Sequence, residues 1–104
     1  MALDVVVQGD VARILMKGRF DFHVHRDFKE AYTKLFDIAS VRQIEIEMSK
    51  LDYLDSSALG MLMLLNERAK SVNKMVVLVN PSGVVSQVLE VANFNRLFNI
   101  TTAP

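Results

Sequence analysis

The sequence predicts an α/β domain of order β-β-α-β-α-β-α, with a mixed, mainly parallel sheet and its helices on one face. Three observations predict it. Apolar residues alternate with polar ones in two amino-terminal segments and again from Ile44 to Met48, the period of a half-buried strand. Between the alternating segments lie stretches whose apolar residues recur at spacings of three and four, the period of an amphipathic helix. Met75 to Val79 is apolar throughout and suits a parallel strand buried on both faces. The 104 residues are read as one domain, 1–104, long enough to bury roughly 65% of its unfolded surface.

Taken in order, Leu3, Val5 and Val7 share one face of a first strand. Gln8-Gly9-Asp10 supplies the turn to a second strand, Val11 to Lys17, in which Ala12, Ile14 and Met16 face one way and Arg13 and Lys17 the other. The two should form an antiparallel hairpin that ends at Gly18-Arg19-Phe20-Asp21. A helix is predicted from about Val24 to Ala39, on the stripe Phe28, Ala31, Tyr32, Leu35, Phe36 and Ala39. The third strand carries Ile44, Ile46 and Met48 against Glu45 and Glu47. A second helix starts at the polar turn before Ser56 and ends near Ser71 to Asn73. After the fourth strand, Asn80-Pro81-Ser82 reads as a helix start, with Val84, Val85, Val88, Leu89 and Ala92 as the stripe. The tail from Phe94 to Ile100 adds at most a short edge strand. Right-handed crossovers stepping in one direction place every helix on one sheet face. Arg13, Lys17, Glu45 and Glu47 then line the other face as pairs of opposite charge.

Composition excludes several classes. Twelve basic residues balance twelve acidic ones, so nothing marks a nucleic-acid surface. Cysteine is absent, which removes disulfide and thiol chemistry. MALDVVVQGD lacks the basic and long apolar regions of a signal peptide, and no run approaches the roughly 20 apolar residues of a membrane span. A cytoplasmic chain is expected, without membrane insertion.

The working edge of such a sheet lies past the carboxyl ends of its parallel strands. Three loops are expected to meet there, Gly18 to His25, Asp52 to Ala58, and Asn80 to Gly83, which brings Asp21 close to Ser56. Asp55 and Ser56 are both good helix caps, and Ser56 and Ser57 open a helix whose free amides favour an anion. From Met61 to Leu65 every residue is apolar, which exceeds one helical turn, so some of them should face outward. Gly60 sits in the first turns at a cost of about 0.8–1.0 kcal/mol relative to alanine. Either a partner or the adjacent sheet comes close to its backbone. Hydrolase chemistry lacks its inventory, with no Gly-x-Ser-x-Gly elbow and only His23 and His25 as bases. Asp21, His23, His25 and Asp27 fit a loop and helix start better than a metal site, and no phosphate-binding glycine loop is present. Neither an enzyme nor a cofactor or metal is expected.

Leu54-Asp55-Ser56-Ser57-Ala58-Leu59-Gly60 resembles the signature of STAS domains, the anti-sigma-factor-antagonist family. Members commonly read Asp-Ser-Ser-Gly-Leu-Gly, and Ala58 stands at the first glycine of that pattern. Gly18-Arg19-Phe20-Asp21 resembles the family's Gly-x-x-Asp turn, and the element order agrees over about residues 3–100. The resemblance implies a bacterial partner-switching regulator, phosphorylated at Ser56, whose unphosphorylated form binds and sequesters a partner. It implies a GHKL-type serine kinase or kinase-anti-sigma factor, and a PP2C-type phosphatase or a response regulator carrying one, in control of transcription. The segments around GRFDF and YLDSSALGMLMLL look more narrowly like single-domain regulators of motility, biofilm or stress pathways. The expected partner surface is Asp21, Asp55, Ser57, Ala58, Gly60, Met61 and Leu64. Asp21 and Asp55 read equally as turn and cap residues. A second reading from the same family is the STAS accessory subunit of a lipid-trafficking ABC transporter, docking the same helix on an ATPase.

Overall fold

The computed structural model describes residues 3–102. Strands β1 (Leu3–Gln8) and β2 (Val11–Phe20) form the predicted hairpin, turning through Gly9 at a positive φ of 62°. Strand β3 (Gln43–Leu54), β4 (Met75–Val79) and a short β5 (Asn99–Thr101) follow, each parallel to its predecessor from β2 onward. The sheet order is β1-β2-β3-β4-β5. Helices α1 (His25–Phe36), α2 (Ser56–Ser71) and α3 (Gly83–Val91) are the three crossovers. Each steps to the next strand in the same direction, so right-handedness puts all three on one face, as expected.

The core lies between that face and the helices. Ala12, Ile14 and Met16 of β2, Ile44, Ile46 and Met48 of β3, and Val76 and Leu78 of β4 are all buried there. From above they meet Phe28, Tyr32 and Leu35 of α1, Leu62 and Leu65 of α2, and Val85 and Leu89 of α3. Among the described residues no helix is long and apolar enough to cross a membrane.

Four elements differ from the expectation in their bounds. Strand β2 does not stop at Lys17 but runs on through Gly18, at φ 75°, to Phe20. Its partner β3 does not give way to a loop at Asp52 but continues to Leu54. Ten residues of β2 lie beside twelve of β3, and the register slips by one between Leu15 and Lys17 and again between Gly18 and Arg19. Two extra residues in β3 stretch its buried spacing from two to three, Met48 to Leu51 to Leu54, which hides the strand from a period-two reading. Glu47 Oε1 accepts the backbone N–H of Ser49 at the first slip (2.9 Å).

Helix α1 is shorter than the predicted Val24 to Ala39. A 3-10 turn, Phe22–Val24, precedes it, and it ends at Phe36, leaving Ala39 exposed in the following turn. Pro81 lies outside α3, before its cap Ser82, and Val84 is exposed, so only Val85 and Leu89 of that stripe are fully buried.

On the helix-free face Arg13 pairs with Glu45 (Nη2 to Oε1, 3.0 Å). Lys17 meets no carboxylate among the described residues. The slip sets it opposite Lys50, whereas Glu47 accepts from Asn80 Nδ2 at 3.1 Å.

Candidate functional site

Phe20 and Leu54 are register partners at the ends of β2 and β3, so Asp21 and Asp55 leave the sheet side by side. Asp21 caps the 3-10 turn by accepting the backbone N–H of His23 (3.0 Å). The His23 ring Nδ1 lies 3.2 Å from the same oxygen, and Arg19 Nε lies 3.5 Å from the other. The Arg19 guanidinium covers the Tyr53 ring, 3.8 Å from its centroid. Asp55 caps α2. Its Oδ1 accepts the Ser57 hydroxyl at 2.6 Å and the Ala58 N–H at 3.0 Å.

These bonds hold both carboxyls below the ordinary aspartate range. For Asp21 the His23 backbone N–H is the main cause, partly opposed by desolvation. For Asp55 it is the Ser57 hydroxyl, then the Ala58 N–H, opposed by desolvation and by the charge of Asp21. Two carboxylates therefore stand ionised beside the first turn of α2, where the helix dipole compensates part of their repulsion.

The two serines are not equivalent. Ser57 is half-buried and its hydroxyl is committed to Asp55, whereas Ser56 is exposed and makes no side-chain hydrogen bond among the described residues. Gly60 is one turn further along the same exposed line, followed by Met63 and Leu64. The helical period sorts the apolar run: Met61, Leu62 and Leu65 are buried in the core, and only Met63 and Leu64 face outward. Ala58 and Met61 were expected at the partner surface, but both lie on the core face, Ala58 fully covered. Met63 takes the outward place.

Gly60 touches nothing that would explain it, since a Cβ built there meets no atom within 4 Å. Packing against the sheet is thus not its reason. Of the three loops expected at this edge, those ending β2 and β3 come together in register. The third leaves the sheet at Val79, opposite Glu47, and is tied there through Asn80. What α3 adds instead is apolar surface: Val84 and Val88 line a depression beside Leu59 of α2.

Phe22 is a site residue that the sequence reading missed. It is 66% exposed at the tip of the turn after Asp21 and stacks on His25, with ring centroids 4.9 Å apart. An aromatic ring placed between Asp21 and His23 in an otherwise polar turn was the available signal. Neither histidine hydrogen-bonds Ser56, and no group of three or more metal-ligating side chains gathers, among the described residues. The arrangement offers a free hydroxyl at a helix head, two flanking carboxylates and an apolar rim.

Comparison with known proteins bears on the family and the fold. The family profile described as "Mlab, STAS domain" matches residues 3–101. A STAS-domain-containing protein of Pseudomonas aeruginosa (strain UCBPP-PA14) is 40% identical over 93 residues, 89% of this chain and 90% of that relative. Among solved structures, the anti-sigma factor antagonist SpoIIAA in its unphosphorylated form superposes with a TM-score of 0.83 at 20% identity, covering 99% of this chain and 89% of that one. The Bacillus cell fate determinant SpoIIAA in its phosphorylated form gives 0.76 at 19% identity, covering 99% and 92%. At such identities the two structures speak for the fold.

Proposed function

The chain belongs to the STAS domain family, and on that premise we propose that it is a phosphorylation-controlled protein-binding regulator of the anti-sigma-factor-antagonist kind. Its unphosphorylated form binds a partner in a bacterial partner-switching pathway in the cytoplasm, and phosphorylation of Ser56 weakens that binding. The observation that carries this reading is the asymmetry of the serine pair. Asp55 holds Ser57, while the Ser56 hydroxyl stands free and exposed at the head of the α2 crest. That SpoIIAA, a structural neighbour, is known in both unphosphorylated and phosphorylated forms supports it.

A phosphate at Ser56 adds roughly 1.5–2 negative charges at neutral pH. The α2 amino terminus offsets about 0.3–1 kcal/mol of the local repulsion, so the fold tolerates the group. A partner that presents a carboxylate there does not. Two unit charges about 4 Å apart at an effective dielectric near 20 interact by roughly 4 kcal/mol. That is ample for about a hundredfold to thousandfold loss of affinity. The switch therefore belongs to the interface and leaves the fold alone. Phe22, Gly60, Met63 and Leu64 supply the contact area, with methionine suited to an adaptable fit. A GHKL-type serine kinase or kinase-anti-sigma factor is the partner in this reading. A PP2C-type phosphatase, alone or on a response regulator, resets it.

Titration calorimetry of the captured partner against wild type, Ser56→Ala and Ser56→Asp tests the reading. Ser56→Ala should bind like wild type and Ser56→Asp at least tenfold more weakly. Equal binding by all three would sink the gate. Co-purification with an ATPase and no phosphate on intact-mass analysis would instead favour the transporter subunit, whose docking needs no free hydroxyl.

A further inference from the structure

At the other side of the sheet, β1 ends the strand order and its outer edge is unpaired among the described residues. An open edge carries a row of backbone donors and acceptors ready to pair with another strand. Proteins usually guard it with a proline, charged side chains, a bulge or brevity. β1 has no proline, lysine or bulge, and its one charge is Asp4 near the amino end. It is six residues long, reads LDVVVQ, and pairs with β2 in unbroken register. Val5 and Val7 are exposed although they lie on the face that carries the core, and Val6 is exposed on the other face.

The helix beside that edge is patterned to match. An apolar groove of about 430 Å³ runs between β1 and α1, floored by Val5 and Val7 and walled by Ala31 and Ile38. On the α1 side it is rimmed by Asp27 and Glu30 towards one end and Lys34 towards the other. α1 returns antiparallel to β2 and so runs in the same direction as β1.

We propose that β1 pairs antiparallel with β1 of a second copy of this chain, forming a dimer with a continuous ten-stranded sheet. A two-fold axis between the two strands, perpendicular to the sheet, suits the charges. It turns the second α1 end for end, so Asp27 and Glu30 of one copy face Lys34 of the other. With strands about 4.8 Å apart, the two helices stand roughly 10–14 Å apart, within reach of these side chains. Of the registers that keep the helix faces on one side, those that set Val5 against Val5 or Val7 bring no like charges together, since Asp4 meets Val6 in the first and Gln8 in the second. The valines and the two grooves close over one another. Ser56 and the α2 crest stay free, since β2 and β3 lie between them and the seam.

Sedimentation velocity of the full chain over a concentration series tests this. Wild type should pass from monomer to dimer as concentration rises. Val6→Lys should stay monomeric at concentrations where wild type is dimeric, with an unchanged circular dichroism spectrum. Lys34→Glu, on an exposed helix face, should weaken the dimer about tenfold, and Glu30→Lys with Lys34→Glu should restore it. A wild type that stays monomeric throughout overturns the proposal, leaving the edge to an extended segment of another protein. A dimer indifferent to Val6→Lys and to the charge swap overturns it too, because another surface then holds the copies.

Discussion

Asp55 serves the helix and the serine pair at once. One of its oxygens takes both the Ala58 N–H and the Ser57 hydroxyl, so the residue that caps α2 also decides which serine is free. Removing it by Asp55→Ala should cost about 1 kcal/mol at neutral pH, the usual worth of a carboxylate cap. The cost has a pH signature. The folded carboxyl titrates below the 3.8 of an unperturbed aspartate, so the unfolded chain takes up the proton first. Its stabilisation is complete above that value and is lost as pH falls through the lower, folded one. Urea unfolding at about pH 7 and about pH 3 should therefore show the gap between wild type and Asp55→Ala narrowing in acid. A gap that widens or holds would remove the ionised cap. The serine and both aspartates were legible as residue types at helix-start and turn spacing. Which hydroxyl was committed was not, because a bond over two positions depends on side-chain direction rather than on order in the chain.

Among the elements, α2 carries the proposed partner surface, and Gly60 is its least explained position. It lies within the helix, and a Cβ added there meets no side chain or other element within 4 Å among the described residues. Gly60→Ala should therefore stabilise the fold by up to about 0.8–1.0 kcal/mol. If a partner backbone lies across the crest, the same methyl group should weaken partner binding. Chemical unfolding run beside the partner titration checks both. A stability gain with unchanged binding would leave the glycine without a partner role. The sorting of Met61 to Leu65 belongs to this scale too. Five apolar residues in a row say that some face outward, but the phase of the helix against the sheet says which, and it chose Met63 and Leu64. In β3 the opposite loss occurred. Strand residues were present up to Leu54, yet the two slips broke the alternation that would have revealed them.

Across the whole molecule, the crest is built at one end of the sheet and secured from the other. Lys74, at the amino end of β4, is buried, and its Nζ donates to the carbonyl oxygens of Ile38 and Val41. It pins the turn after α1 to the turn after α2, far from Ser56. Lys74→Met keeps the aliphatic stem but takes the donor away from the Val41 carbonyl, while the Ile38 carbonyl keeps the Val41 N–H, and should cost roughly 1–3 kcal/mol. Denaturant unfolding should show a lowered midpoint with an unchanged slope, and partner binding should be intact below the transition. A loss within about 0.5 kcal/mol would mark Lys74 as an ordinary surface residue. Nothing in the chain order announced this role, because a lysine after Asn73 reads as part of a solvated turn.

Chain-local physics determined the element order, the single helix-bearing face, the hairpin, the start of α2 and the motif around Ser56. All of these follow from spacing, turn chemistry and the handedness of crossovers, which are written in neighbouring residues. Tertiary structure alone decided how far β2 and β3 run together, which apolar residues of α2 face outward, and that Phe22 stands exposed beside Asp21. It also decided that Lys17 meets Lys50 and that β1 is left with an open edge. These depend on register and on what packs across a distance, and a one-residue slip in register changes them all while leaving the local pattern as it was.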